Sequence, residues 1–372
     1  MVRMNLDFHY YGTYCAARLA GYERAQAVEI AYYAQFVDEC SETLLRSIPI
    51  ESSRLVPTVQ SDKEMSSQLL DPHEYTPQEL KKVCEIWSPF HFLPGNTDDH
   101  ISDSRLNRIQ AIELRRLCQT DSPLVERIVE NAKVNGSLAA IGMTMHILAD
   151  TWAHCYFAGI PAKYINDATG DVFELSGGKR TKLTFMYDPI FPDNLSKNHY
   201  SCSPINPIRD RSIVYLGHGR MGHLPDYGFM KYAYCPVWRD GQELIKDNPQ
   251  FFLNAFCQMI TAMQYIRGSI ASFHTGVYAQ LGNVTEQQIK NIIQTRKIES
   301  SAEWQAFIAD GLSGEDSREG AIPVFQAQQC ISQYLAAQNK EATGLVQFLD
   351  AAKAHVIEVN RAAGAYPVVY TS

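Results

Sequence analysis

His146-Ile147-Leu148-Ala149-Asp150-Thr151-Trp152-Ala153-His154 decides how this chain is read. The segment lies inside Ser137–Phe157, the most apolar helical run of the sequence. On an α-helix, positions i, i+4 and i+8 form one stripe that drifts by about 40° per step of four. Two imidazoles and a carboxylate therefore share one face of an otherwise apolar helix. Burying them costs several kcal/mol unless each finds a partner. A divalent cation satisfies all three, with neutral imidazole and ionised carboxylate as ligands. A hydrogen-bonded His–Asp–His network in the core is the alternative that these residues leave open.

Outward from this helix, the first half reads as further helices. A short one begins near His9 and terminates at Gly21. The next, Glu23 to Thr43, places Ala27, Ala31, Ala34 and Asp38 close to one face, where small side chains let another element approach closely. Residues 46–80 read as a long polar connection, and Trp87–Asn96 as a rigid aromatic loop with His91 in its middle. Asp103 or Ser102 can cap a helix reaching about Cys118, and Ser122-Pro123 supplies an N-cap with proline at the first helical position. Residues 159–216 break the pattern with Pro, Gly, Asn and Asp. A hairpin is expected there, Asp171–Leu175 and Thr181–Tyr187 flanking the turn Ser176-Gly177-Gly178-Lys179. Such an excursion reads as a lid-like insertion. Helices return after 248, one starting at Asn248-Pro249 and ending near Thr275. The expected fold is all-α: a multi-helix bundle over 1–240 with a loop and β-hairpin insertion at 159–216, and a C-terminal helical region over 241–372 packed on it.

Composition narrows the function. The 372 residues are 45% hydrophobic and 20% charged, which excludes a disordered chain and a disulfide-stapled miniature scaffold. A net charge of −8 lacks the footprint of a general nucleic-acid binder. No apolar window is long enough to predict a transmembrane helix, and the first residues lack the apolar core of a cleaved signal. Nine scattered cysteines without a CxxC pair suit a reduced compartment, so a cytoplasmic location is expected where the protein is made. No GxxxxGK[ST] loop, GxSxG elbow or GxGxxG turn is present. The candidate chemistry is metal-assisted hydrolysis.

A second constellation is Gly217-His218-Gly219-Arg220-Met221-Gly222-His223-Leu224-Pro225-Asp226. Two histidines and an aspartate among glycines suit a backbone that bends around a small ligand. His9 stands beside Asp7, and Asp38 lies on the small-residue face. With an N-terminal histidine, an aspartate on the second helix, a histidine before the central helix, an HxxxD with a later histidine, and then a His/Asp group, the chain resembles the zinc-dependent phospholipase C and single-strand nuclease superfamily. It is more similar still to a bacterial phosphatidylcholine-hydrolysing branch, whose FHYYGTY-type segment matches Phe8-His9-Tyr10-Tyr11-Gly12-Thr13-Tyr14. Some members of that branch are effectors delivered by intracellular pathogens, which implies export without a cleaved signal. The resemblance covers residues 5–235.

This resemblance implies two or three zinc ions. One would be bound by His146, Asp150 and His91, with Asp38 bridging or acting as general base. A second would be held by His154, His223 and Asp226, with His218 competing for the place of His223. A third would be held by His9, with Asp7 and a shared Asp150. The chain departs from the family pattern in three ways. Six residues precede Asp7 where well-known members use a free N-terminal tryptophan. His154 lies nearer the aspartate than its counterpart, and the last pair is His223-x-x-Asp226. The expected substrate is a phospholipid at a membrane or micelle surface rather than nucleic acid. The segments around the ligands carry few cations but many aromatics: Phe90, Phe92, Trp152, Tyr156, Phe157 and Tyr227. A nuclease using the same ions is the runner-up, and a non-catalytic metal-binding scaffold the alternative from another class.

Overall fold

The structure, a computed structural model, describes residues 6–61, 64–65, 76–95, 106–189, 191–206, 208–312 and 320–364. A π-helical turn, Asp7–Gly12, leads into α1 (Thr13–Leu19), followed by α2 (Arg24–Phe36), α3 (Glu42–Arg46), α4 (Pro77–Phe90), α5 (Arg108–Leu114), α6 (Pro123–Asn135) and α7 (Leu138–Ala153). After the one-turn α8 (Lys163–Asn166) come the strands β1 (Ala168–Ser176), β2 (Lys179–Lys182), β3 (Thr184–Phe185), β4 (His199–Tyr200), β5 (Lys231–Pro236) and β6 (Leu244–Asp247). The chain then returns to helices: α9 (Asn248–Ile266), α10 (Asn283–Ile293), α11 (Ser301–Asp310), α12 (Gln329–Ala336) and α13 (Gly344–Ala363).

α7 is the axis of the molecule. Ser137 accepts the Ala140 N–H at its start, and every residue from Ala139 to Ala153 is buried. α1, α2, α6, α9 and α13 pack around it. The small-residue face of α2 meets α7 at Gly142, where a Cβ would lie 2.3 Å from the Ile30 carbonyl oxygen. One hydrophobic core runs from Phe8 through Phe256 to Val359, so α9 to α13 share the core of the first half.

The all-α expectation is wrong: the fold is mixed α/β. β2-β1-β5-β6 form a four-stranded antiparallel sheet, and β3 pairs with β4 in parallel. The β1–β2 hairpin follows its Gly177-Gly178 turn, both residues at positive φ. The partner strand β5 escapes the sequence reading because Tyr232, Ala233 and Tyr234 are buried in succession, which erases the two-residue alternation. The sheet closes a second, smaller core with Phe92, Phe157, Val172, Tyr232 and Leu244.

Three boundaries also move. α2 stops at Phe36, not Thr43, so Asp38 sits on the turn that follows. Residues 77–80, read as connection, and 87–90, read as loop, both belong to α4. Thr76 and Glu79 make a reciprocal capping box there, with Pro77 at the first position. α9 ends at Ile266, short of Thr275. The proposed caps Ser102 and Asp103 lie outside the described residues; α5 is capped by Asn107.

Candidate metal centre

His146 and Asp150 project from consecutive turns of α7, and His154 is the residue that ends it. Tyr156, at φ +80°, then turns the chain sharply away. His9 comes from the π-helical turn, a widened geometry frequent at functional sites. His91 caps the C-terminus of α4. His218 and Asp226 come from the glycine-bearing loop. Its Gly222 is at φ +56°, with no room for a Cβ against the Ser201 carbonyl oxygen.

Three groups that can hold metal ions result, buried except for the part-exposed His218: His9, His146 and Asp150; Asp38, His91 and His146; and His154, His218 and Asp226. His146 belongs to two of them. His9 Nε2 lies 3.1 Å from Asp150 Oδ1, without hydrogen-bond geometry. Asp150 Oδ2 is 3.2 Å from His146 Nε2 and 3.1 Å from His91 Nδ1. Asp38 Oδ1 is 3.9 Å from both His91 Nδ1 and His146 Nε2. In the third group, Asp226 Oδ1 is 3.2 Å from His154 Nε2 and 3.5 Å from His218 Nε2. Two ligands on a tetrahedral zinc with bonds near 2.0–2.1 Å stand about 3.3 Å apart, so the separations at Asp150 and Asp226 fit the ion, while those to Asp38 are wider.

The hydrogen bonds at the far sides of the rings sharpen this. His91 Nε2 bonds the Thr58 carbonyl at 2.9 Å, His154 Nδ1 the His91 carbonyl at 2.6 Å, and His218 Nδ1 the Gly222 carbonyl at 2.7 Å. A carbonyl only accepts, so each of these nitrogens carries a proton. In the neutral ring the opposite nitrogen is then a lone pair, and all three lone pairs face carboxylate oxygens. This is the carbonyl–histidine support commonly found behind metal ligands. Burial pushes His146 down to about 3 and His218 down to about 4, which leaves both neutral near pH 7. His154 is raised, because Asp150 and Asp226 outweigh its burial. Asp150 is held well below the carboxylate range despite burial, chiefly by His146 and His154. Asp226 is lowered despite its burial too, chiefly by His218. Ionised Asp150 and Asp226 thus oppose the neutral rings of His146 and His218, and both nitrogens of His9, Nδ1 of His146 and Oδ1 of Asp150 are buried without a hydrogen bond. A proton on His154 could serve one contact, whereas cations would serve all of them.

Two of the residues named from sequence are not brought into these groups. Asp7 turns toward the C-terminal half, where its Oδ2 accepts the N–H and, at 2.6 Å, the hydroxyl of Ser300 at the start of α11. His223 gives way to His218. Its Nδ1 lies 3.3 Å from Asp193 Oδ2 and 3.5 Å from Ser201 Oγ, and Asp193 is also bonded by the Tyr227 hydroxyl at 2.5 Å. Sequence reasoning missed three supports: Asp193, the Thr58 carbonyl, and Gln35, which donates to Asp38 Oδ2 at 3.3 Å. Gln35 was within reach, three residues before Asp38 on the same helical run. The other two come from loops without local pattern.

A pocket with about 560 Å³ of empty space, open to solvent, adjoins the third group. His218 and His223 stand on its wall with Met65, Trp87, Phe92 and Leu216. Of the six aromatics expected around a substrate, Phe92 alone lines it. Phe90, Phe157, Trp152 and Tyr227 are core residues, the last two with their polar atoms bonded to Gln258 and Asp193. Arg220 donates to Asp167 Oδ1 at 3.0 Å and to the Ser203 carbonyl, which ties it to the protein.

Fold and site together define a mixed α/β protein with a buried polyhistidine–carboxylate centre able to hold metal ions. The chain belongs to the DUF6765 family, described as a family of unknown function, which matches residues 4–363. No curated protein and no solved structure matches it. Among the described residues, no helix is long and apolar enough to cross a membrane.

Proposed function

We propose that this protein is a zinc-dependent phosphodiester hydrolase of the phospholipase C type, cleaving phosphatidylcholine-like lipids to diacylglycerol and a phosphorylated head group. The observation that carries the reading is that the rings of His91, His154 and His218 each bond a carbonyl through one nitrogen and turn the other toward a carboxylate oxygen. His9, His146 and Asp150 would hold one ion and His154, His218 and Asp226 another; Asp38 and His91 would hold a third, with His146 serving only one of the two groups it adjoins, because a neutral ring offers one lone pair. Imidazole with carboxylate, and no thiolate, suits zinc. Such ions acidify water toward neutrality and offset the charge that builds on phosphoryl oxygens during in-line displacement.

The protein's own groups do the rest. The carbonyls of Thr58, His91 and Gly222 fix ring tautomer and direction. Asp38, held by Gln35, is 8% exposed where Asp150 is fully buried, and is the carboxylate placed to take a proton from an attacking water. Met65, Trp87, Phe92 and Leu216 give the pocket an apolar wall suited to a lipid's glyceride portion. A lipid is favoured over a polynucleotide because Arg220, two residues from His218 in the chain, is already engaged and the chain carries −8 overall.

The test is direct competition at fixed salt with metal-replete protein. Phosphatidylcholine in mixed micelles should release phosphocholine while single-stranded DNA and RNA persist, and Asp150→Asn should abolish turnover with the helical signal retained. Rapid cleavage of single strands with untouched lipid, or near-full turnover by Asp150→Asn, would overturn the proposal.

A further inference from the structure

The insertion carries an exposed apolar rim. Met186 is 36% exposed, Tyr187 50%, Phe191 38%, Ile205 57% and Ile208 85%. Five of the fourteen large apolar residues exposed among the described residues thus fall within 186–208, while the others are scattered along the chain. Scattered ones need no explanation; a concentration marks an interaction surface. The two runs that carry them are neighbours. β3 pairs with β4, the Met186 N–H donates to the Tyr200 carbonyl at 2.9 Å, and Arg220 bonds the Ser203 carbonyl while lying over the Tyr187 ring at 5.3 Å. Tyr187 is held at φ +49°, a left-handed conformation unfavourable for a bulky residue, and remains half exposed. Between them, Pro189 and Ser201 to Ser203 form a wall of the pocket that reaches His218. The apolar rim and the entrance to the candidate centre therefore lie on one side of the molecule.

We propose that this rim is a docking face for a lipid bilayer, which seats the pocket mouth at the head-group layer. Charge selects this occupant. Around the rim, residues 186–211 hold three Lys and Arg against three Asp, whereas the whole chain holds 33 against 41. Lys197 and Arg209 are exposed within this stretch and make no ion pair among the described residues. Apolar tips with flanking basic side chains match acyl chains beneath anionic head groups. Protein interfaces, by contrast, are depleted of lysine. The proposal deepens the phospholipase reading and rests on it for its purpose, but binding is measured without turnover.

The test is sedimentation with vesicles of phosphatidylcholine containing a minority of phosphatidylglycerol, comparing the full chain with the triple variant Phe191→Ser, Ile205→Ser, Ile208→Ser. Withdrawing one inserted side chain weakens partition about tenfold, so the triple variant should lose a hundredfold or more. A Val277→Ser, Val284→Ser control should partition like the parent. Circular dichroism and metal content, unchanged in the triple variant, keep misfolding from imitating the effect. Failure of the parent to partition, equal partition by the triple variant, or a face that serves only to pair two copies of the chain overturns the proposal. Hydrolysis of monomeric short-chain phosphatidylcholine by the parent separates the two claims. Vesicle binding without hydrolysis leaves the docking face standing and removes the phospholipase reading; hydrolysis without vesicle binding does the reverse.

Discussion

Replacing Gly142 by alanine should loosen the molecule where its two central helices touch. The added Cβ would lie 2.3 Å from the Ile30 carbonyl oxygen and 2.9 Å from both the Ala34 nitrogen and Tyr33 Cβ. A close carbon–oxygen contact normally stands at about 3.3–3.6 Å, so α2 must retreat by about 1 Å. None of the three atoms can swing clear by a side-chain rotation beyond Cβ. Alanine gains about 1 kcal/mol of helix propensity over glycine. Overpacking of a tight core costs about 1–3 kcal/mol, and here it acts on main chain, at the upper end. A net destabilisation of about 2 kcal/mol follows. The retreat also carries Asp38, two residues beyond the end of α2, away from His91 and His146, from each of which it is now 3.9 Å. Urea unfolding followed by circular dichroism reads the stability, and zinc titration of the chelator-stripped protein reads the second group's affinity; both should fall. A variant as stable as the parent, or more stable by the propensity gain, would refute the close α2–α7 contact.

Other expectations follow from single contacts. His218→Ala should lose one equivalent of metal, whereas His223→Ala should keep its metal, because His218 and not His223 belongs to the third group; elemental analysis of the two variants decides it. Lys246 is buried and donates to the Trp152 carbonyl at 3.0 Å, and to those of Ala153 and Cys155, the orphan acceptors at the end of α7. Lys246→Met should destabilise by about 2–4 kcal/mol in the same urea assay, because those carbonyls lose their donor. His355 donates to the Pro89 carbonyl at 2.8 Å, in the last turn before His91, and burial pushes its pKa down to about 4 from 6.5. The unfolded chain takes up this proton first, so the contribution is complete above pH 6.5. It drains away between 6.5 and 4 by up to about 3 kcal/mol, and His355→Gln should flatten that slope in unfolding measured across pH.

The sequence revealed features whose cause is local. The α6 and α7 starts at Ser122 and Ser137 and the Gly177-Gly178 turn can be read from neighbouring residues, as can the α7 stripe of His146 and Asp150, though the Ser122 hydroxyl makes no capping bond. Where a contact spans the chain, periodicity carries no signal. β5 finds β1 across some sixty residues and is buried on both faces, so neither alternation nor a tight turn announces it. Asp7 beside His9 looked like a ligand pair, yet its partner is Ser300, nearly three hundred positions away. The α4 start was legible in Thr76-Pro77-Gln78-Glu79, a capping signature inside a stretch whose polar, proline-bearing composition suggested a connection. His218 and His223 could not be separated from spacing alone, since Asp193, which engages His223, comes from the insertion.

The most direct test of the account is elemental analysis of the purified, metal-replete chain. Three His/Asp groups, two of which share His146, predict two to three divalent ions per chain, zinc foremost, with Asp150→Asn losing at least one. Less than one ion per chain, in protein whose helical signal is intact, would contradict the account and leave these residues a hydrogen-bonded core network.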